Sequence, residues 1–140
     1  ADLADDYNLR IQAYLGAAVE ELQRQGYERI VLAGIGRGAF PVTRQTLDGP
    51  AGSALVWIAP AFPLANLQTL AAELGARDSL RILDVVSSRQ GGKAARERAA
   101  LMKRNGLDNA YSQQSVAMPE QPLGRNAGQV VNRLLAWLGR

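Results

Sequence analysis

The feature that most constrains the fold is an alternation. Short apolar runs and longer segments of helical period take turns along the chain, each pair separated by glycine or polar turn residues. The run Ile30-Val31-Leu32, within residues 29–33, is too short for a helix. It is also continuous rather than alternating, which suits a strand buried on both faces of a parallel sheet. Residues 54–58, 80–86 and, more weakly, 110–117 read the same way. Between them, residues 39–47, 64–74 (stopped by Gly75) and 93–105 (followed by Gly106) read as helices, and 127–138 closes the chain with a fourth. Ahead of the first strand, Tyr7, Ile11, Tyr14, Leu15, Ala18, Val19 and Leu22 recur at 3.6-residue spacing. They predict a helix capped near Asp5 or Asp6 and ended by Gly26, with that stripe buried. A helix followed by four strand-helix units predicts a three-layer α/β fold: about four parallel strands with right-handed crossovers and flanking helices. With 140 residues, 47% of them hydrophobic, residues 1–140 form a single domain.

Composition removes most common chemistries. The chain has no cysteine, hence no disulfide, thiolate nucleophile or thiolate metal site. It has no histidine either, which excludes Ser-His-Asp and Cys-His mechanisms and the usual zinc hydrolase sites. No metal and no cofactor is expected. A formal net charge of +3 is too mild to imply nucleic acid. Its distribution is uneven: residues 1–26 hold five acids against two arginines, whereas Arg89, Lys93, Arg96, Arg98, Lys103 and Arg104 face only Glu97. That cluster reads as the solvated face of a helix burying Ala95, Ala99 and Met102. Aromatic side chains are not interleaved with it, so nucleic acid is not the expected partner. No run approaches a membrane span.

The glycine turn Gly34-Ile35-Gly36-Arg37-Gly38 is the sharpest chemical feature. Set between a strand and a helix, it allows a tight reversal and brings helix amides toward the strand end. Gly34, Gly36 and Ala39 match the dinucleotide pattern G-x-G-x-x-G/A. The carboxylate that should end the next strand is missing, however, since Ala59-Pro60-Ala61 stands there. Gly36, Arg37 and Gly38 form a candidate anion site, with the Arg37 guanidinium and nearby amides suited to phosphate or carboxylate. A small-anion or nucleotide binding module is therefore one reading of the chain. Asp84, inside an apolar strand, is expected to be a buried carboxylate that accepts loop amides. Trp57 and Trp137 belong to the core.

The segment QGYERIVLAGIGRGAF resembles the strand and nucleophile elbow of α/β-hydrolases, and SALVWIAPAF and LRILDVVSSRQ resemble the next two strands of that fold. Nearest in likeness is an uncharacterised family of proteobacterial proteins, domain of unknown function 3530. The resemblance implies the C-terminal half of a hydrolase fold with a degenerate triad. The nucleophile position falls on Gly36, which has no side chain. The acid falls near Gln90, and the histidine within Met118 to Leu123, where there is none. The expected product is a pseudo-hydrolase with no catalytic residues. An esterase-like fragment using Ser87 or Ser88 is the enzyme alternative.

The resemblance also implies that earlier strands are missing, so the Ile30-Val31-Leu32 strand becomes a bare apolar edge. In this simple strand order only the last helix covers the second face. The expected function is association through that edge: a homo-oligomer, a missing N-terminal half, or another envelope protein. The start at Ala1 without Met fits a processed or excised product and is compatible with export. A periplasmic location is expected, with the cytoplasm as alternative.

Overall fold

The computed structural model describes residues 3–49, 54–77, 79–88, 92–117 and 128–139. In chain order these give α1 (Leu3–Arg24), β1 (Leu32–Ile35), a 3-10 turn (Gly36–Gly38), α2 (Ala39–Asp48), β2 (Ala54–Ile58), α3 (Leu64–Gly75), β3 (Arg81–Ser87), α4 (Gly92–Arg104), β4 (Tyr111–Val116) and α5 (Gly128–Leu138). The expected three-layer α/β fold is present. Its four strands are all parallel, in the order β1-β2-β3-β4 with no reversal.

Some boundaries differ from expectation, the first strand most of all. The first strand lies at Leu32–Ile35 rather than 29–33. Its ladder is set by β2, where Leu32 pairs with Leu55 and Ile35 with Ile58, so Gly34 and Ile35 are strand residues and the turn begins only at Gly36. α1 likewise begins at Leu3, ahead of the cap expected near Asp5 or Asp6.

Side chains alternate across the sheet, so each strand serves two cores. On the first face Leu55, Trp57 and Ile82 meet Ala39 and Val42 of α2, Leu67, Leu70 and Leu74 of α3, and Met102 of α4. On the second face Val56, Ile58, Leu83 and Val85 meet Val130 and Trp137 of α5. β2 is buried along its whole length, as its unbroken apolar run requires. Burying one such aliphatic or aromatic side chain contributes about 1.5–3 kcal/mol.

Polar contacts fix the layers to one another. The Trp57 indole N–H donates to Thr43 Oγ1 at 2.8 Å, and the Thr43 hydroxyl donates to the Ala39 carbonyl, tying β2 to α2. Arg44 of α2 donates to Glu73 Oε1 of α3 and to Asp48 Oδ2, both at 3.1 Å. The Arg44 guanidinium holds the Glu73 carboxyl below its ordinary value, chiefly through this hydrogen bonding.

Two helices depart from the expected buried stripes. In α5, Val130 and Trp137 are buried and Leu134 and Leu138 pack beside them, while Val131 and Leu135 are exposed. In α1, Val19 is buried and Leu15 packs on the core, yet Tyr14 is 72% exposed. Among the described elements both helices have a neighbour on one side only, and part of each apolar stripe stays in solvent.

The C-terminus of α5 is held by two cations from the sheet side. Arg29 donates to the Leu138 carbonyl at 3.1 Å and Arg81 to the Trp137 carbonyl at 2.9 Å, where the helix dipole is negative. The Arg81 guanidinium also lies 4.4 Å over the Trp137 ring. Arg81→Ala is therefore expected to cost about 1–2 kcal/mol. Urea unfolding reads the loss, and hydrogen exchange should place the extra opening in α5. Unchanged α5 protection would remove this anchor.

Candidate functional site

The glycine turn is built by packing and by backbone hydrogen bonds. A Cβ on Gly34 would lie 2.5 Å from the Gly38 carbonyl oxygen and 2.6 Å from Val42 Cγ2, so only glycine lets α2 fold back onto β1 there. Gly36 has φ +56°, in the left-handed region, and a Cβ on it would meet nothing within 4 Å. Its carbonyl accepts the Ala39 N–H and, at 2.9 Å, the Ala61 N–H, which joins the turn to the segment after β2. A strand, a left-handed glycine and a helix thus follow in succession, with Gly36 at the apex of the turn. No side chain stands at the apex.

Of the proposed anion site, Gly36, Arg37 and Gly38 are contiguous in this turn, and Arg37 is exposed. Arg37 makes no ion pair or side-chain hydrogen bond among the described residues. One of the nearby amides, that of Ala39, is already taken by Gly36. Gln90 and residues 118–123, the expected acid and histidine positions, lie outside the described residues.

The densest polar constellation lies elsewhere, in the middle of the sheet. Asp84 on β3 is fully buried and stands between Trp57 of β2 and Gln113 of β4 in the ladder. Its carboxylate takes a two-point contact from Arg98 of α4, Nε to Oδ2 at 2.8 Å and Nη2 to Oδ1 at 3.2 Å. The Tyr111 hydroxyl donates a short hydrogen bond to the same Oδ2. Gln113 Nε2 donates to the Tyr111 oxygen at 2.8 Å and to the Ala95 carbonyl at 2.9 Å. Burial, then the Asp84 charge, push the Tyr111 hydroxyl well above its ordinary value of 10.0.

This network corrects two expectations. Asp84 is a buried carboxylate, but its partners are side chains of α4 and β4 and not loop amides. Arg98 is not on the solvated face of α4: it is 7% exposed and turned inward between Ala95 and Met102. Lys93, Arg96, Lys103 and Arg104 do lie exposed on that helix, and Arg89 is outside the described residues. Reading α4 by hydropathy alone hid Arg98. The signal was available in its spacing, since Ala95, Arg98 and Met102 fall on one helical face, opposite a lone acid in a buried strand.

Among the described residues no group of His, Cys, Asp and Glu could hold a metal ion. None of their helices is long and apolar enough to cross a membrane.

These features define a three-layer α/β domain with a strand-turn-helix glycine apex and a buried acid-base network. The family model described as "Protein of unknown function (DUF3530)" matches residues 2–140, and the chain belongs to that family. No curated protein and no solved structure matches.

Two outcomes follow from the network's electrostatics. Asp84→Asn leaves a buried guanidinium without its counter-charge and should cost about 3–5 kcal/mol, whereas the paired change Asp84→Leu with Arg98→Met should recover most of that loss. Chemical denaturation of the three proteins checks it, and a double variant as unstable as Asp84→Asn would contradict it. Tyr111 gives a pH signature. Its folded pKa is raised, so its contribution is present below about pH 10 and is lost as the pH rises and the unfolded chain ionises. Tyr111→Phe should cost about 2 kcal/mol at neutral pH yet flatten the decline of stability above pH 10. An unchanged alkaline slope would count against it.

Proposed function

We propose that this chain is a non-catalytic α/β-hydrolase-like domain that works by association, its sheet extended beside β1 by a strand from a protein partner. The observation that carries the reading is the contrast between the two edges of the sheet. β4 is dressed as an edge, with Ser112 and Ser115 exposed and Gln113 and Gln114 half-buried. β1 and its approach, Ile30 to Ile35, carry only apolar residues and glycine, and Ala33 is exposed. Natural sheets protect free edges with polar or charged side chains, and β1 lacks that protection.

The helix layers support the same reading. α2 packs on β1, β2 and α3, while α1 packs chiefly on α2. Helices sit about 8–10 Å apart and strands about 4.8 Å, so α1 lies over ground beyond the β1 edge. It roofs the space that a further strand would fill, and exposed Tyr7, Leu9 and Tyr14 line that helix. The second face is thin there too, with Val31 and Ile35 only partly buried. A strand with apolar residues on both faces, backed by a helix of its own, fits this place.

A second copy of the chain fits less well. Edge-to-edge antiparallel pairing about a two-fold axis normal to the sheet keeps both helix layers on one side. The two α1 helices would then contend for the same volume. The non-catalytic part of the reading rests on Gly36, which puts no side chain at the apex, and on a chain without histidine. The likeness to an uncharacterised proteobacterial family supports the periplasm as the proposed compartment.

Photo-crosslinking in the source cell tests the proposal. A crosslinking residue at Ala33 should give one defined adduct, the same residue at Ser112 none, and a charged edge, Ala33→Lys, should abolish the complex while leaving the chain folded. Equal adducts from both edges, or none from Ala33, would sink it. A concentration-dependent dimer broken by Ala33→Lys would replace the partner by a second copy. Turnover of simple acyl esters by the purified chain would overturn the non-catalytic part.

A further inference from the structure

The α3 and α4 helices do not stay equally close. At their C-terminal ends they touch: a Cβ on Gly75 would lie 2.4 Å from the Asn105 carbonyl oxygen. Toward the start of α3 they part and leave a cleft of about 440 Å³. That volume lies within the range of about 300–1,000 Å³ common for small-molecule sites. Phe62, Leu64, Leu67 and Leu101 supply its apolar surface, and Gln68, Glu97, Arg98 and Arg104 its polar groups. Leu64 is 64% exposed, a large apolar side chain left open on the wall of a cavity.

Arg98 makes this more than a packing gap. It is more than nine-tenths buried, and Asp84 holds its Nε and Nη2. Nη1 has no hydrogen-bond partner among the described residues, nor is it one of their sealed polar atoms without a partner, of which Gln114 Oε1 is the one instance. Arg98 lines the cleft, and with Nε and Nη2 turned to Asp84 the unsealed Nη1 is the edge of the guanidinium left available to it. Asp84 fixes that edge in place, which lowers the ordering cost of binding an acceptor there.

We propose that the cleft between α3 and α4 binds a single-tailed carboxylate, its chain on Phe62, Leu64, Leu67 and Leu101 and its head between Arg98 Nη1 and Arg104. The charge balance selects the head group. Asp84 neutralises Arg98 and Lys93 pairs with Glu97 at 4.0 Å, so Arg104 is the one charge left over among the described residues of the cleft; a singly charged carboxylate balances it, and a doubly charged phosphate leaves one negative charge uncompensated. The apolar wall rewards a hydrocarbon tail. The site is lined by α3 and α4, which cover the sheet away from β1, and it does not depend on the association reading.

Amide NMR titration of the folded chain with sodium octanoate tests this, with octan-1-ol and acetate as tail-only and head-only probes. Octanoate should give saturable shifts confined to residues 61–68 and 94–104, with both controls markedly weaker. Arg98 is unsuited to substitution because Asp84 would be left buried and unpaired. Arg104→Glu, at an exposed position, should weaken octanoate about fivefold, the scale of one exposed ion pair, and leave octanol unchanged. Ala94→Trp, from an exposed position on the wall, should fill the cleft and abolish binding. Octanol binding as tightly as octanoate, shifts centred elsewhere, or undiminished binding to Ala94→Trp would each overturn the proposal.

Discussion

A parallel connection between neighbouring strands needs a crossover, and a crossover has one hand. In this chain the strands follow in order, β1 to β4, so three successive right-handed crossovers place α2, α3 and α4 on the same face. Only an element outside that series can cover the other face, and α5 does so alone among the described elements. Most of the rest follows. The first face is deep enough to bury Trp57 and Asp84 completely, while the second stays thin near β1. Without a reversal of order among the described strands, their topology makes no crevice above the strand ends of the kind that open α/β sheets use for ligands.

A core with that depth can hold charge, and Asp84 and Arg98 show on what terms. A lone buried carboxylate is costly, as is a lone guanidinium, but each supplies the other's counter-charge here, with Tyr111 and Gln113 taking up remaining lone pairs and protons. The pair joins β3 to α4, and β4 enters through Tyr111 and Gln113. Apolar packing alone leaves the rotation of α4 loosely defined, because its sheet-facing side offers small Ala95 and flexible Met102. A two-point ionic contact has one geometry. It fixes the helix, and in doing so it sets which face of α4 looks into the cleft beside α3.

The fold was legible in the sequence because strand and helix periods differ and each crossover is long enough for only one kind of pairing. Residues 54–58 and 64–74 came through nearly unchanged for that reason. The first strand shifted because register is a property of two strands, and Leu32 opposite Leu55 cannot be inferred from either segment alone. The apolar stripes of α1 and α5 showed which residues are apolar and not how many neighbours each helix would have, so Tyr14 and Leu135 turned out exposed. At the candidate sites the gap was wider. Arg98 sat in a run of basic residues that hydropathy assigns to solvent, and only its tertiary partner fourteen residues back, Asp84, turns it inward. The cleft depends on the splay of two helices, set by Gly75 against Asn105, and no local pattern records that contact.

The glycine turn separates scaffold from chemistry. Gly34 is required by packing, since any side chain would meet the backbone of Gly38 and Ala39. Gly36 is under no such demand: the space beside it is open, and what favours glycine is a positive φ. The turn holds its form because the Gly36 carbonyl collects amides from both Ala39 and Ala61, a backbone device indifferent to any side chain. An apex of this shape can therefore persist with nothing on it. The geometry of the turn is a statement about how β1 enters α2, and any chemistry placed on it is a separate requirement that the backbone cannot meet.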